Sequence, residues 1–173
     1  MREKLIAVTS RDGKITRGYS SDNQTWTSPE DKDFFTSQIA AASLIVMGRL
    51  TYESIKTHIK HQQGRLRVVM TSTPQDFQDE AIEGALEFTS ESPKELVKRF
   101  ENEHNEMLVV GGSKVFTDFV RDGLIDEMYL TIEPLYFGEG KPLFTDENIK
   151  IDMAFNWRRV LNDRGTLLLK YSR

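Results

Sequence analysis

Two short stretches combine residue types and spacing that suit a phosphate. In Met47-Gly48-Arg49-Leu50-Thr51 an apolar run ends, a glycine follows and a helical pattern begins. Free N–H groups at a helix start suit an anion; Arg49 adds a forked donor set and Thr51 a hydroxyl. Val110-Gly111-Gly112-Ser113-Lys114-Val115-Phe116 repeats this logic, with paired glycines that let backbone approach a ligand closely. Each stretch also has a plainer reading, as an ordinary strand-to-helix turn. Two such turns in one chain favour a phosphate-rich cofactor. Thr71-Ser72-Thr73-Pro74 offers further hydroxyls at a strand end, although such a cluster is often no more than a turn.

Asp31 is the candidate for proton chemistry. It falls in the first turn of a helix, close to Trp26, Phe34 and Phe35. A carboxyl in apolar surroundings can keep its proton to higher pH and deliver it to a substrate. The alternative is an acid that only stabilises the helix N-terminus.

Several other chemistries lack their residues. There is no cysteine, which removes disulfides, thiolate metal sites and cysteine nucleophiles. His58 and His61 stand one helical turn apart, but no cysteine or nearby third histidine supports them, so no metal site is expected. No Gly-x-Ser-x-Gly elbow is present, nor the His-x-Glu and Pro-Cys-x-x-Cys pair of zinc deaminases. A net charge of −4 and a pI near 5.5 argue against a broad nucleic-acid surface. No apolar run approaches the ~20 residues of a membrane span, and Leu5 to Val8 is short for a signal peptide. A cytoplasmic protein is expected.

The elements that must position these groups are legible as alternating apolar runs. Leu5 to Thr9, Leu44 to Met47, Arg67 to Thr71 and Met107 to Val110 read as strands covered on both faces. Between them lie four helices. The first opens at Ser28-Pro29-Glu30-Asp31 with a cap, a first-turn proline and acids, and carries Phe35, Ile39 and Ala42 on one face. The second follows Arg49, with Tyr52 and Ile55 inward. The third opens on a Ser92-to-Glu95 capping box and buries Leu96, Val97 and Phe100. The fourth runs from about Ser113 to Asp122, buries Val115, Phe116, Phe119 and Val120, and ends at Gly123. Beyond Gly123, Met128 to Leu135, Trp157 to Leu161 and Thr166 to Tyr171 read as strands, the last two joined by a turn. Pro134 implies a bulge or an edge there. The expectation is one α/β domain over residues 1–173, with a mostly parallel sheet and an antiparallel C-terminal hairpin.

With these residues in view, the chain resembles the dihydrofolate reductases. Met47 to Ile55 is similar to their Met-Gly-Arg-x-Thr-Trp-Glu-Ser-Ile segment, with Tyr52 for the tryptophan. Trp26-x-x-Pro29-x-Asp31 with Phe34 and Phe35, Arg67 to Pro74, Val109 to Phe116 and Tyr129-Leu130-Thr131 agree in order and spacing. Ser10 to Ile15, Leu124 to Glu127, Ile132-Glu133-Pro134 and Gly138 to Phe144 resemble one branch, the reductase domain of riboflavin biosynthesis. The resemblance implies a three-layer αβα dihydrofolate-reductase-like fold and NADPH as cofactor. The implied reaction is reduction of a small heterocycle, foremost 5-amino-6-(5-phosphoribosylamino)uracil. Dihydrofolate or another pterin is the alternative substrate; a non-catalytic NADPH-binding protein is the alternative of another class.

It also implies roles. Gly48, Arg49 and Thr51 would hold NADPH phosphates, with Thr71 alongside and Arg49 and Ser72 near the 2′-phosphate. Gly111 and Gly112 would carry a cis peptide, followed by Ser113, Lys114 and Val115 in the second turn; Lys114 stands where some dihydrofolate reductases have arginine. Asp31 would be the substrate carboxylate and proton source, supported by Thr131, with Trp26 and Phe35 beside it. Asp12 to Ile15 would belong to a loop closing over the nicotinamide. Lys14 and Arg17 are candidates for a substrate phosphate, and Arg65 stands where folate's glutamate tail is held. A homodimer through the strands after Gly123 is the partner expectation.

Overall fold

The computed structural model describes residues 1–18 and 25–173. A single eight-stranded sheet organises it, in the order β4-β3-β2-β5-β1-β6-β8-β7. β1 (Arg2–Ser10), β2 (Leu44–Gly48), β3 (Leu66–Met70), β4 (Leu86–Thr89), β5 (Glu106–Val109) and β6 (Glu127–Glu133) are mutually parallel. β8 (Leu167–Ser172) pairs antiparallel with β6, and β7 (Ala154–Val160) antiparallel with β8.

Helices cover both faces. α1 (Pro29–Ala41) and α2 (Arg49–Ile55) pack over Ile6, Ile45, Met47, Val69 and Leu108. On the other face α3 (Pro93–Phe100) and α4 (Ser113–Arg121) bury Leu96, Phe100, Val115, Phe116, Phe119 and Val120 against Leu5, Val46, Val68 and Val109. Alternate residues of one strand thus feed opposite cores, as the two-residue period of a strand requires. This is the expected three-layer αβα arrangement with its antiparallel end.

The helix boundaries follow local chemistry. Ser28 caps α1 and Pro29 occupies its first turn. Ser92 and Glu95 form a reciprocal capping box on α3. Gly123 ends α4 at φ +70°, a conformation that favours glycine. Three expectations need correction. β4 has only four residues and too little alternation to announce itself. β6 stops at Glu133, so Pro134 lies just outside the strand, and β6 is an inner strand with neighbours on both sides. β7 begins at Ala154, earlier than its apolar pattern indicated. Among the described residues no helix is long and apolar enough to cross a membrane.

Candidate active site

The parallel strands all present their carboxyl ends on one edge of the sheet, where open α/β sheets bind ligands. A cavity of about 910 Å³ opens there, between the ends of β2, β3, β4 and β5. Gly48, Arg49, Thr51, Thr71, Ser72, Gly112, Ser113, Lys114 and Val115 all line it. Gly111 stands directly behind, its carbonyl accepting from the Gly48 N–H at 2.7 Å. The Gly111–Gly112 peptide is cis.

The two glycine turns differ from the other two α-helix starts in one respect. α1 and α3 are capped by serine side chains, whereas α2 and α4 begin at Gly48 and Gly112 with no side-chain cap. Their first N–H groups therefore remain available to a ligand. Side chains would crowd both turns. A Cβ on Gly48 would lie 3.1 Å from Val115 Cγ2, and one on Gly112 3.3 Å from Thr51 Oγ1.

The cavity's charges are held in reserve by weak partners. Arg49 Nη1 lies 2.9 Å from both Glu53 carboxylate oxygens, and Lys114, 80% exposed at its side chain, reaches Asp118 at 2.6 Å. Exposed ion pairs of this kind contribute about 0–1 kcal/mol, so a phosphate can displace the acids at little cost. Ile15 lines the cavity, at the end of the stretch expected to close over the nicotinamide; sequence reasoning did not foresee that Thr16, Ser90 to Pro93, Arg121 and Lys141 also line it. The Ser90 to Pro93 wall depends on the unforeseen β4; its hydroxyls were visible only as a helix cap.

Asp31 lies at the same edge, beside β1 and β6. It is 6% exposed, its N–H donates to Ser28 Oγ at 3.3 Å, and its carboxyl is hydrogen-bonded to Thr131. Burial pushes its pKa up to about 6; the Glu133 charge adds to the rise, while the Thr131 bond and Lys32 oppose it. Trp26 is buried edge-on to Phe137 at 5.0 Å, and its Nε1 finds no hydrogen-bond partner among the described residues. Phe35 lies partly buried on α1, on the core face.

The remaining predicted residues are dispersed. Lys14 pairs with Pro142 in an isolated bridge, and Arg17 lies over the Phe137 ring at 5.3 Å, which places it on the Trp26 side. Arg65 is not brought to the cavity: its guanidinium donates to the Ala40 and Ala42 carbonyls at the end of α1, at 2.8 and 3.2 Å. Among the described residues no cluster of three or more potential metal-ligating side chains occurs.

Residues 11–18 form a strap tied to residues 137–143. Asp12 accepts from the Ser10 hydroxyl at 2.7 Å and from the Phe137 and Gly138 N–H groups at 3.0 and 2.9 Å. Desolvation would raise the Asp12 pKa, but these three donors together outweigh it and bring the value down to about 2. The tie is thus complete above the unfolded value of 3.8 and is lost as pH falls through about 2. Asp12→Asn is expected to raise amide exchange at Phe137 and Gly138 at least about tenfold at pH 7. Unchanged exchange would mean the Asp12 charge does not hold the strap.

With this geometry in view, comparison with known proteins is decisive for the family. The profile of the RibD C-terminal domain matches residues 5–164. The chain belongs to the RibD C-terminal domain family. This is a family of reductase domains, and the fold described above is its dihydrofolate-reductase-like form in this chain. Two uncharacterised Bacillus subtilis (strain 168) proteins are similar in sequence. YwjB is 32% identical over 58% of this chain and 57% of its own length, and YyaP 34% over 50% and 44%. The chain thus spans about half the length of the curated relatives it matches. A putative riboflavin biosynthesis protein from Shewanella sp. PV-4 superposes with a TM-score of 0.75 at 23% identity, covering 100% of this chain and 99% of that one. The diaminohydroxyphosphoribosylaminopyrimidine deaminase/5-amino-6-(5-phosphoribosylamino)uracil reductase of Thermotoga maritima gives 0.73 at 17% identity, with 99% of this chain and 56% of that one covered. At these identities the structural likeness speaks for the fold.

Proposed function

We propose that this RibD C-terminal domain binds NADPH across its two glycine turns and reduces a phosphoribosylated aminopyrimidine, 5-amino-6-(5-phosphoribosylamino)uracil or a close relative. The observation that carries the reading is the pair of uncapped helix starts opening on one cavity, at the sheet edge that also holds a buried carboxyl. The Thermotoga relative's description names that pyrimidine reaction, and the family match extends over most of the chain.

The residues divide the work. The N–H groups of α2 and α4, with Arg49, Thr51, Thr71, Ser72, Ser113 and Lys114, would hold the dinucleotide's phosphates, Arg49 and Ser72 on the 2′-phosphate. NADPH, when bound, supplies hydride. The protein aligns the two rings, excludes water, and delivers one proton from Asp31 or from a water that Asp31 orients. Thr131 fixes the Asp31 carboxyl; Trp26 Nε1 offers a donor, and Phe35 lends an apolar wall. Arg17, on the Trp26 side, is the better placed cation for a substrate phosphate, with Lys14 behind it.

The direct test is NADPH binding followed by its oxidation with the phosphoribosylaminopyrimidine and, in parallel, with dihydrofolate. Turnover of the pyrimidine supports this reading. Turnover of dihydrofolate alone would transfer it to pterin reduction; binding with no turnover of either would make the domain a nucleotide-binding protein. Arg49→Ala is expected to weaken NADPH about 10–100-fold and NADH little, because only NADPH presents the 2′-phosphate. Equal losses for both nucleotides would remove Arg49 from that phosphate.

A second copy of the chain is the proposed partner. β7 is an edge strand exposed along its whole length, and Phe155 and Val160 stand 55% and 61% exposed. Such an edge invites pairing. Sedimentation at micromolar concentration should give a dimer that Val160→Lys with Phe155→Lys converts to monomer; a monomeric wild type would refute it.

A further inference from the structure

A second buried carboxyl stands beside Asp31 and has no part in the scheme above. Glu133 closes β6 and is 2% exposed. Its Oε1 accepts from the Ser28 N–H at 2.6 Å and its Oε2 from the Thr166 hydroxyl at 2.7 Å. Ser28 is the residue whose hydroxyl caps α1 by accepting from the Asp31 N–H. Two residues earlier on β6, and therefore on the same face of the strand, Thr131 is hydrogen-bonded to the Asp31 carboxyl. Glu133 thus grips the helix cap that carries Asp31 and shares the strand that fixes its side chain.

A buried carboxyl is costly, and an apolar side chain would fill an inner strand at no such cost. No ion pair to Glu133 is found among the described residues to offset it. Its two hydrogen bonds instead join three elements: β6, the start of α1 and the turn before β8. That turn is tied again to α1, since Asn162 donates to both Thr166 Oγ1 and Glu30 Oε2, at 3.0 and 2.9 Å.

We infer that Glu133 is a positioning residue for Asp31: it docks the start of α1 on the sheet and sets a second carboxyl beside the first, so that Asp31 holds its proton closer to neutral pH. This rests on Asp31 being the proton source. The charged groups that act on Asp31 are few. From its own helix Lys32 favours the ionised form, and from β6 Glu133 disfavours it. Glu30, also on α1, is engaged by Asn162 and by Arg164 from the turn before β8. On β1, opposite Glu133, stands uncharged Ser10. Among the described residues, Glu133 is therefore the one charge whose removal should ease Asp31 ionisation.

The test is the titration of the Asp31 carboxyl by carbon-13 NMR in the ligand-free protein, in wild type, Glu133→Gln and Glu133→Asp. Gln can accept from Ser28 as Glu does, so the tether is kept while the charge is removed. Asp31 is expected to titrate about half a pH unit or more lower in the Gln variant and to stay near the wild-type position in the Asp variant. Thr166→Val, which removes one donor from Glu133 and leaves its charge in place and less offset, should move Asp31 the opposite way, to higher pH, and by less. It decides the matter if the Gln variant folds poorly. An unmoved Asp31 in the Gln variant, or in Thr166→Val where that variant decides, overturns the inference. The titration needs no substrate. Absence of pyrimidine turnover would therefore count against the proposed reaction and leave this inference standing, whereas an unmoved Asp31 would sink it whatever the turnover.

Discussion

Asp31→Asn is expected to make the folded chain more stable at pH 7 while lowering turnover about 10²–10⁴-fold. Both effects have one cause. The folded chain holds the Asp31 proton up to about pH 6 and the unfolded chain only to 3.8. Below 3.8 both states are protonated and nothing is lost. Between 3.8 and about 6 the folded state binds more protons than the unfolded one, so stability declines as pH rises. Above about 6 the full cost stands, at most about 3 kcal/mol. Asparagine cannot ionise and still accepts from Thr131, so the cost vanishes along with the proton source. Urea unfolding at pH 7.5 and pH 3.5 should show the variant's advantage at the higher pH alone. Glu3 complicates the background but not the difference. Burial and its bond to Asp126 raise Glu3 to about 7, giving a decline of the same sign between 4.5 and 7 that both proteins share. For the wild type, kcat/KM should fall as pH rises through about 6. A variant with no stability gain would mean Asp31 is an ordinary helix-capping acid, and full activity would remove it from the chemistry.

The second large effect is expected at Gly140. Its φ is +145°, and a Cβ there would be driven into the Thr16 carbonyl oxygen. The neighbouring contacts leave no room to yield. Ile15 N–H donates to the Lys141 carbonyl at 2.8 Å, Lys141 N–H to Thr16 Oγ1 at 2.9 Å, and Thr16 Oγ1 to the Gly18 carbonyl at 2.6 Å. Ile15, Thr16 and Lys141 also form one wall of the cavity. Gly140→Ala should therefore destabilise the fold by about 2–4 kcal/mol and weaken NADPH binding about tenfold or more as that wall shifts. Gly13→Ala is the control. It has φ +75° but nothing within 4 Å of the added Cβ, so its cost is confined to the backbone, about 1–2 kcal/mol, with cofactor binding preserved. Thermal melts with and without NADPH compare the two. Equal behaviour would show that the strap adjusts and that the wall does not depend on its close approach.

The sequence by itself determined those features whose physics is contained within a few residues. Ser28 and Pro29 start a helix because a hydroxyl and a missing N–H answer the unpaired donors of that turn. The Ser92 and Glu95 box, the apolar strands and the two glycine turns are equally local. Since those turns end parallel strands, their meeting at one sheet edge follows from the βα alternation. Asp31, as an acid among aromatics in a first helical turn, was visible as a candidate for the same reason.

Only the tertiary structure decided what depends on distant partners. Glu133 reaches Ser28 across 105 residues of chain, and Asp12 reaches Phe137 across 125; no spacing within either neighbourhood announces such pairings. The one local signal for Glu133 was a charged residue in phase with Thr131 on a strand, and alternation alone cannot say whether that face is wet or dry. Arg65 shows the converse. Its position matched a ligand-binding arginine, yet the chain folds so that the end of α1 takes its donors. β4 stayed hidden because four residues carry too little period to be told from a loop, and with it stayed the Ser90 to Pro93 wall of the cavity. Local rules name the groups able to do chemistry; the packing of α1, β6 and the turn before β8 determines which of them stand together.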